Sequence, residues 1–257
     1  MKIVVLTENT KCREDLGCEH GLSLYIETGC RRILFDMGQT ALFAENAAQL
    51  GIDLAEVDFA VLSHGHYDHG GGMEKFLEIN QKAPVYLTRE AFTPHFNASG
   101  KYIGLEQALA QSGRLAYIGD FQEIAPGIAL HTCNGLAQPW PADAYGLTAG
   151  TEGQPDGFRH EQYLLIEEAG KRICISGCSH KGIRNIVHWF RPDVLVGGFH
   201  FMKLDDREKL EEAAGALLEY DTVYYTGHCT GEKQTAVLKA IMGSRLKAIS
   251  TGMEIHI

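Results

Sequence analysis

Short apolar runs alternate with turn residues through the first eighty positions of the chain. Each run is a few residues long and rich in Val, Ile, Leu or Phe, and the runs predict strands at residues 2–7, 22–27, 32–35 and 57–62. Apolar residues recur at helical spacing over 39–50 and again over 73–79, and predict two helices. The first eighty residues are therefore predicted to form strands combined with helices.

The second half of the chain repeats one unit, a strand followed by a helix. Strands are predicted at residues 162–167, 172–176, 193–196, 221–225 and 248–250. Helices are predicted at residues 183–190, 206–220 and 232–242. Alternating strands and helices are typical of α/β architecture, so we predict a doubled α/β fold without a detectable sequence repeat.

The pattern is weaker between residues 84 and 160. It predicts strands at 84–87 and 115–118 and a short helix at 106–111. Residues 139–159 are rich in Gly, Pro and Ala, and predict a long loop that either shapes a substrate pocket or runs over the surface. We expect one domain over 1–257, with a loop-rich, pocket-shaping region at about 90–160.

Ten consecutive residues, 63–72, read Ser-His-Gly-His-Tyr-Asp-His-Gly-Gly-Gly and follow directly on a predicted strand. Four of them are possible metal ligands: His64, His66, Asp68 and His69. So many polar side chains resist burial together unless a metal coordinates them. This stretch therefore predicts a metal site.

Three later histidines, His180, His200 and His228, also follow predicted strands and precede helices. A single histidine in such a position is more often a hydrogen-bonding residue than a ligand, but the cluster at 64–69 changes that expectation for His180 and His228.

The spacing within the cluster predicts two ions. In extended chain His64 and His66 face one side, so with His180 they provide three nitrogen ligands and an open fourth position, as in a catalytic zinc site. Asp68 and His69 point elsewhere and pair with His228 around a second ion.

Water held between two cations loses its proton near neutral pH, which predicts a hydrolase acting through a metal-activated hydroxide. Zinc is the first expectation for both divalent ions, with iron or manganese as alternatives.

The composition narrows the class of partner. The 257 residues carry a formal net charge of -10, which disfavours nucleic acid as a partner, and they contain 45% hydrophobic residues, which is ordinary for a globular protein.

No apolar run approaches the length of a membrane span or a secretory signal. The seven cysteines are scattered without paired spacing, so no disulfide framework is expected. We expect a cytoplasmic protein with a small-molecule substrate and no membrane partner, and the sequence leaves the oligomeric state open.

The stretch 63–72 resembles the HxHxDH signature of the metallo-β-lactamase superfamily. Further segments resemble one branch, the metal-dependent hydrolases related to 7,8-dihydropterin-6-methyl-4-(β-D-ribofuranosyl)aminobenzene 5'-phosphate synthase: residues 19–27, 33–39, 177–183, 197–200 and 227–231. The resemblance covers nearly the whole chain and is weakest from about 90 to 160. It implies a four-layer αβ/βα sandwich with the metals at one edge.

The resemblance also implies roles for individual residues. It assigns His64, His66 and His180 to one metal, and Asp68, His69 and His228 to the other. Asp36 matches an aspartate that supports the metal-binding loop.

One position departs from the superfamily pattern. Many members place a bridging aspartate where this chain has Gly197-Gly198-Phe199-His200, while Asp205 and Asp206 lie further on and are expected to cap a helix. Either His200 takes this place as a ligand or substrate contact, or the second ion is held more weakly.

We predict that Asp68 orients the nucleophile and that His200 acts in catalysis and in substrate binding. His20 is a second candidate for substrate binding, with a hydrogen-bonding role at a strand edge as the alternative.

Four functions remain open from the sequence. The first is a hydrolase acting on a small phosphorylated or cyclic-ester substrate. The second is the synthase reaction, a transfer that releases diphosphate, and the third is an oxidoreductase with one iron ion. The fourth is a non-enzymatic binding module with a closed metal site.

Overall fold

The computed structural model describes residues 1–257 and divides them into two compact units. Unit 1 comprises Met1–Gly119, Gly146–Gln162 and Ser250–Ile257. Unit 2 comprises Asp120–Tyr145 and Tyr163–Ile249. The single domain expected over 1–257 stays a prediction.

The strands, in chain order, are β1 (Lys2–Thr7), β2 (Ser23–Glu27), β3 (Arg32–Phe35), β4 (Phe59–Val61), β5 (Val85–Leu87), β6 (His95–Phe96), β7 (Leu115–Tyr117), β8 (Phe121–Ala125), β9 (Ile128–His131), β10 (Thr148–Ala149), β11 (Gln154–Pro155), β12 (Tyr163–Glu168), β13 (Lys171–Ile175), β14 (Val194–Val196), β15 (Val223–Thr226), β16 (Leu246–Ala248) and β17 (Glu254–His256). The α-helices are α1 (Leu42–Gln49), α2 (Tyr67–Gly70), α3 (Met73–Ile79), α4 (Ile183–Phe190), α5 (Arg207–Leu218) and α6 (Glu232–Met242).

Unit 1 is built on a seven-stranded mixed sheet in the order β17-β1-β2-β3-β4-β5-β7. The pairs from β17 to β3 are antiparallel, and those from β3 to β7 are parallel. β4 lies between two parallel neighbours, and all three of its residues are buried, which explains its continuous apolar run. A separate small sheet, in the order β11-β10-β6, belongs to the same unit.

Apolar side chains from the sheet and from α1 and α3 form the core of unit 1. Phe43 and Ala47 project from α1, and Met73 and Phe76 from α3, at the helical spacing that predicted these elements.

Unit 2 is built on a second seven-stranded sheet in the order β16-β15-β14-β13-β12-β9-β8. The pairs from β13 to β16 are parallel, and those from β13 to β8 are antiparallel. α4, α5 and α6 add apolar residues to its core. Asp206 caps α5 as expected, because its side chain accepts hydrogen bonds from the backbone N–H groups of Glu208 and Lys209.

Among the differences between the structure and the predicted elements, three have a clear physical reason. The hairpin of β8 and β9 was not predicted, because β8 is an edge strand whose residues alternate between exposed and half-buried and carry little apolar signal. The predicted long loop 139–159 contains β10 and β11, each only two residues long. The strand expected at 248–250 lies at 246–248, where Leu246 is its buried residue.

No helix of the protein is both long and apolar enough to cross a bilayer.

Asn80 holds the segment that leads into β4. This side chain is fully buried, and its amide donates to the carbonyl oxygens of Leu54 (3.0 Å) and Val57 (2.9 Å). Its oxygen accepts from the backbone N–H groups of Lys82 and Ala83.

We expect Asn80→Ala to lower the free energy of unfolding by about 3 kcal/mol, because each buried backbone group that loses its partner costs roughly 1–3 kcal/mol. Urea unfolding followed by circular dichroism measures the change. Asn97→Ala is the control, because Asn97 caps a turn whose partners Ser99 and Lys101 are exposed to water. Equal effects of the two variants would contradict the role assigned to Asn80.

Candidate metal centre

The histidine stretch of unit 1 lies at the carboxyl end of β4. β4 ends at Val61, and the short helix α2 begins at Tyr67, so His64 and His66 lie on the connection and Asp68 and His69 on the first helical turn. All four side chains are buried. The chain thus places four possible ligands where a buried strand ends, as the sequence predicted.

The imidazole rings of this stretch lie against one another. The ring centroid of His64 is 4.6 Å from that of His66 and 4.2 Å from that of His69. His69 Nε2 is 3.8 Å from Asp68 Oδ2. A buried set of imidazoles and a carboxylate is the donor chemistry of zinc and other divalent transition metals.

Asp36, at the end of β3, fixes the orientation of two of these rings. Its carboxylate is fully buried and accepts from Ser63 N, Ser63 Oγ and His69 Nδ1, each at 2.7 Å. Because the Ser63 hydroxyl donates to Asp36, it accepts from His64 Nδ1, which lies 2.8 Å away. These contacts place the protons of His64 and His69 on Nδ1, so that Nε2 is the nitrogen that carries the lone pair in the neutral ring. The support role expected for Asp36 is confirmed.

The pKa directions differ between two of the rings. Burial lowers the pKa of His66 well below its usual value, with the neighbouring His160 adding to the effect, so His66 is neutral at physiological pH. Burial also opposes the charged form of His69, but Asp36 and Asp68 outweigh it and raise the pKa of His69.

Gly65 allows the stretch to pass close to a neighbouring backbone. A Cβ atom at this position would lie 2.1 Å from the carbonyl oxygen of Ala91. No side chain fits there without moving the backbone that carries His64 and His66.

His20 lies at the edge of the same group. Its side chain is exposed, and its Nε2 atom is 3.3 Å from Asp68 Oδ2. The structure thus places this predicted substrate-binding residue beside a predicted metal ligand.

Sequence reasoning missed three buried residues of unit 1 near His66: His95, Asp156 and His160. Together with His66 they offer ligand atoms that lie within 4.8 Å of one another. They come from residues 84–160, where the hydrophobic pattern is weakest. The one sequence signal that could have indicated them is the presence of polar residues in or beside the two-residue strands β6 and β11.

The other predicted residues belong to unit 2 and follow adjacent parallel strands. His180 follows β13, His200 follows β14 and His228 follows β15, so all three lie at the carboxyl edge of one sheet. His180 and His228 are buried, and His200 is half-buried. The rings of His180 and His200 are 4.2 Å apart.

A cavity of about 720 Å³ opens in unit 2 beside these residues. Its lining includes His180, His200, Trp140, Tyr145, Arg184 and Lys203. The Arg184 guanidinium lies 4.2 Å from the centroid of the Trp140 ring, and the Tyr145 ring is 5.3 Å from that of His200. Residues 140–145 of the predicted long loop therefore shape a pocket.

The family profile described as the metallo-beta-lactamase superfamily matches residues 16–228. The chain belongs to this superfamily. Its α/β fold is of the metallo-β-lactamase type, as the resemblance implied.

Two similar proteins agree with the branch of the superfamily that the sequence resemblance implied. The 7,8-dihydropterin-6-methyl-4-(beta-D-ribofuranosyl)-aminobenzene-5'-phosphate synthase of Methanocaldococcus jannaschii is 30% identical over 249 residues, covering 84% of this chain and 82% of that protein. Among solved structures, Tm1679, a metal-dependent hydrolase of the beta-lactamase superfamily, is 28% identical with a TM-score of 0.83, covering 100% of this chain and 99% of that chain.

A more distant structure shares the fold alone. The metallo-beta-lactamase fold protein YhfI from Bacillus subtilis is 14% identical with a TM-score of 0.65, covering 99% of this chain and 98% of that chain.

We expect Gly65→Ala to lower the free energy of unfolding by roughly 1–3 kcal/mol, because forcing atoms into a packed site displaces its neighbours. Thermal unfolding of the metal-free protein measures the change. Gly113→Ala is the matched control, because a Cβ there meets nothing within 4 Å. An unchanged melting temperature for Gly65→Ala would show that the approach to Ala91 is not a constraint.

Proposed function

We propose that this protein is a hydrolase that binds two divalent metal ions, zinc before iron or manganese. The observation that carries the proposal is the buried set His64, His66, Asp68 and His69, with two of its rings oriented through Nδ1 by Asp36 and Ser63. Superfamily membership supports completion of the two ligand sets by His180 and His228.

Divalent ions held by such ligands stabilise developing negative charge and lower the pKa of water, so that a nucleophile is available at neutral pH. The side chains of this protein supply orientation. Asp36 and Ser63 keep the protons of His69 and His64 on Nδ1, which costs no reorganisation when the site is used. Asp68 accepts a hydrogen bond from the nucleophilic water and aligns it.

His200 and His20 are the proposed contacts to substrate. His200 lines the cavity of unit 2, beside Tyr145, and there its imidazole donates a proton to the leaving group. His20 lies next to Asp68 and is exposed, so a substrate can reach its ring.

The cavity supports a small substrate. Its volume of about 720 Å³ is typical of small-molecule sites. Arg184 and Lys203 offer cations and Trp140 offers an aromatic face, although Asp143 and Asp205 also line the cavity. A phosphate ester or cyclic ester with an aromatic or heterocyclic group fits this lining.

The second candidate is a transfer reaction that releases diphosphate. The 30% identity to the M. jannaschii synthase over most of both chains favours it. In such a reaction, ions held by the same ligand residues would supply positive charge for the departing diphosphate, and a second substrate would take the place of water. Release of inorganic phosphate or alcohol from a single ester substrate distinguishes hydrolysis from this transfer.

Elemental analysis of protein purified without added metal tests the ligand set. We expect about two zinc ions per chain, and loss of bound zinc together with esterase activity in His64→Ala, since removal of one imidazole opens the site. His256→Ala is the control, because His256 is exposed on β17. One iron per chain with oxygen uptake would contradict the proposal.

Replacement of His200 tests its role in the reaction. We expect His200→Ala to keep its zinc and to lose about 10²–10⁴-fold in kcat, as for removal of a general acid. His200→Gln, which retains a hydrogen-bonding group, is expected to recover substrate affinity but not kcat. Loss of zinc from His200→Ala would instead make His200 a ligand and contradict this assignment.

A further inference from the structure

A buried hydrogen-bonded group lies next to His66 in unit 1. His95 comes from β6 and Asp156 follows β11, and the small sheet formed by β6, β10 and β11 brings these two residues together. His95 Nδ1 lies 2.9 Å from Asp156 Oδ2, and His160 Nε2 lies 3.2 Å from the same oxygen. His95, Asp156 and His160 are all buried.

The proton on His160 can be placed from its contacts. His160 Nδ1 accepts a hydrogen bond from the backbone N–H of Gly65 at 2.9 Å. A neutral imidazole that accepts at Nδ1 carries its proton on Nε2, and that atom lies in charge contact with Asp156 Oδ2. Its Nε2 atom is then a donor and not a metal ligand, which argues against a cation bound within this group.

The proton on His95 follows from the charge of Asp156. Burial alone opposes ionisation, but the hydrogen bonds from His160 and His95 outweigh it and hold the pKa of Asp156 well below its usual range. The carboxylate only accepts, so His95 donates from Nδ1 and has a lone pair on Nε2. That Nε2 atom is buried and has no hydrogen-bond partner within the protein.

His66 is the residue placed to use this lone pair. Its ring lies 5.4 Å from the His95 ring in an edge-to-face arrangement, at an interplanar angle of 79°. Hydrogen bonds in a ligand-free site are often long and shorten when the site is filled.

We propose that Asp156, acting through His95, positions His66 for metal binding. In this arrangement His66 Nε2–H donates to His95 Nε2, and His66 Nδ1 is left as the metal ligand. Asp156 and His95 are positioning residues, since neither touches the metal or the substrate. The inference rests on the proposed role of His66 as a metal ligand.

Asp156→Asn reverses the hydrogen bonds of this group with minimal change in shape. The backbone N–H of Phe158 donates to Asp156 Oδ1 at 2.7 Å and would retain the amide oxygen there. The amide NH₂ would then face both His95 and His160. His95 can accept at Nδ1 by moving its proton to Nε2, whereas His160, whose Nδ1 accepts from Gly65, loses its acceptor, so His95→Phe below is the variant that tests the His95 contact alone. His66 would lose its acceptor.

The experiment has two readouts, imidazole ¹⁵N NMR of the metal-free protein and a zinc-binding constant from competition with a chelator. We expect the wild type to show His66 protonated on Nε2, and Asp156→Asn to shift that proton toward Nδ1. Zinc affinity should fall about 10–100-fold, as is usual when an outer partner of a metal-binding histidine is lost. His95→Phe, which keeps a ring but removes the acceptor, should have the same effects.

Asp58→Asn is the matched control, because Asp58 accepts from the backbone N–H of Arg32 on the exposed side of unit 1. Unchanged His66 protonation and zinc affinity in both test variants would overturn the inference. A third zinc ion in the wild type that disappears in Asp156→Asn would also overturn it, since the group would then be a metal site itself.

The two proposals fail separately. If His66 binds no metal, zinc affinity is unchanged in His66→Ala and the proposed ligand set is wrong. The NMR readout on metal-free protein still decides whether Asp156 sets the proton position on His66.

Discussion

The fully buried carboxylate of Asp36 is the constraint on which the candidate metal centre depends. It follows directly on β3, accepts three hydrogen bonds and ties the connection after β4 to the first turn of α2. A buried carboxylate is costly unless its hydrogen bonds are complete, so the surrounding backbone has little freedom to move. The positions of His64 and His69 are therefore set by hydrogen bonds within the chain, independently of any bound ion.

Two different carboxylates act as the outer hydrogen-bond partners that set the proton positions on the imidazoles. His69 donates directly to Asp36, whereas His64 reaches the same carboxylate through the Ser63 hydroxyl. The proposed partner of His66 is a separate carboxylate, Asp156, again with one side chain between. Distinct carboxylates allow individual ligands to be tuned, because a change at one leaves the hydrogen bonds of the other intact.

Much of the fold and half of the candidate site could be predicted from sequence. α3 and α6 have the predicted bounds, because their apolar residues recur at helical spacing with clear ends. The stretch from His64 to His69 is local, so its chemistry is visible without tertiary information. Asp36 was expected only through a family resemblance, since nothing in its own neighbourhood marks it as a support.

His95, Asp156 and His160 could not be found in the same way. They are separated by up to 65 residues, and the strands that bring two of them together are only two residues long, too short to show a period. The edge strand β8 was missed for a related reason, since alternation without deep burial leaves little apolar signal. Local pattern predicts elements with a buried face, whereas contacts between short irregular segments depend on the completed fold.

The segment 139–159, which the sequence predicts as one loop, is divided between the two units. Residues 140–145 belong to unit 2 and line its cavity, whereas β10, β11 and Asp156 belong to unit 1 and its hydrogen-bonded group. Under the proposals above, substitutions in the first part would alter which molecules the cavity accepts, and those in the second part would alter how firmly an ion is held. If both proposals hold, one half of the segment can vary with substrate preference while the other half keeps the metal chemistry constant.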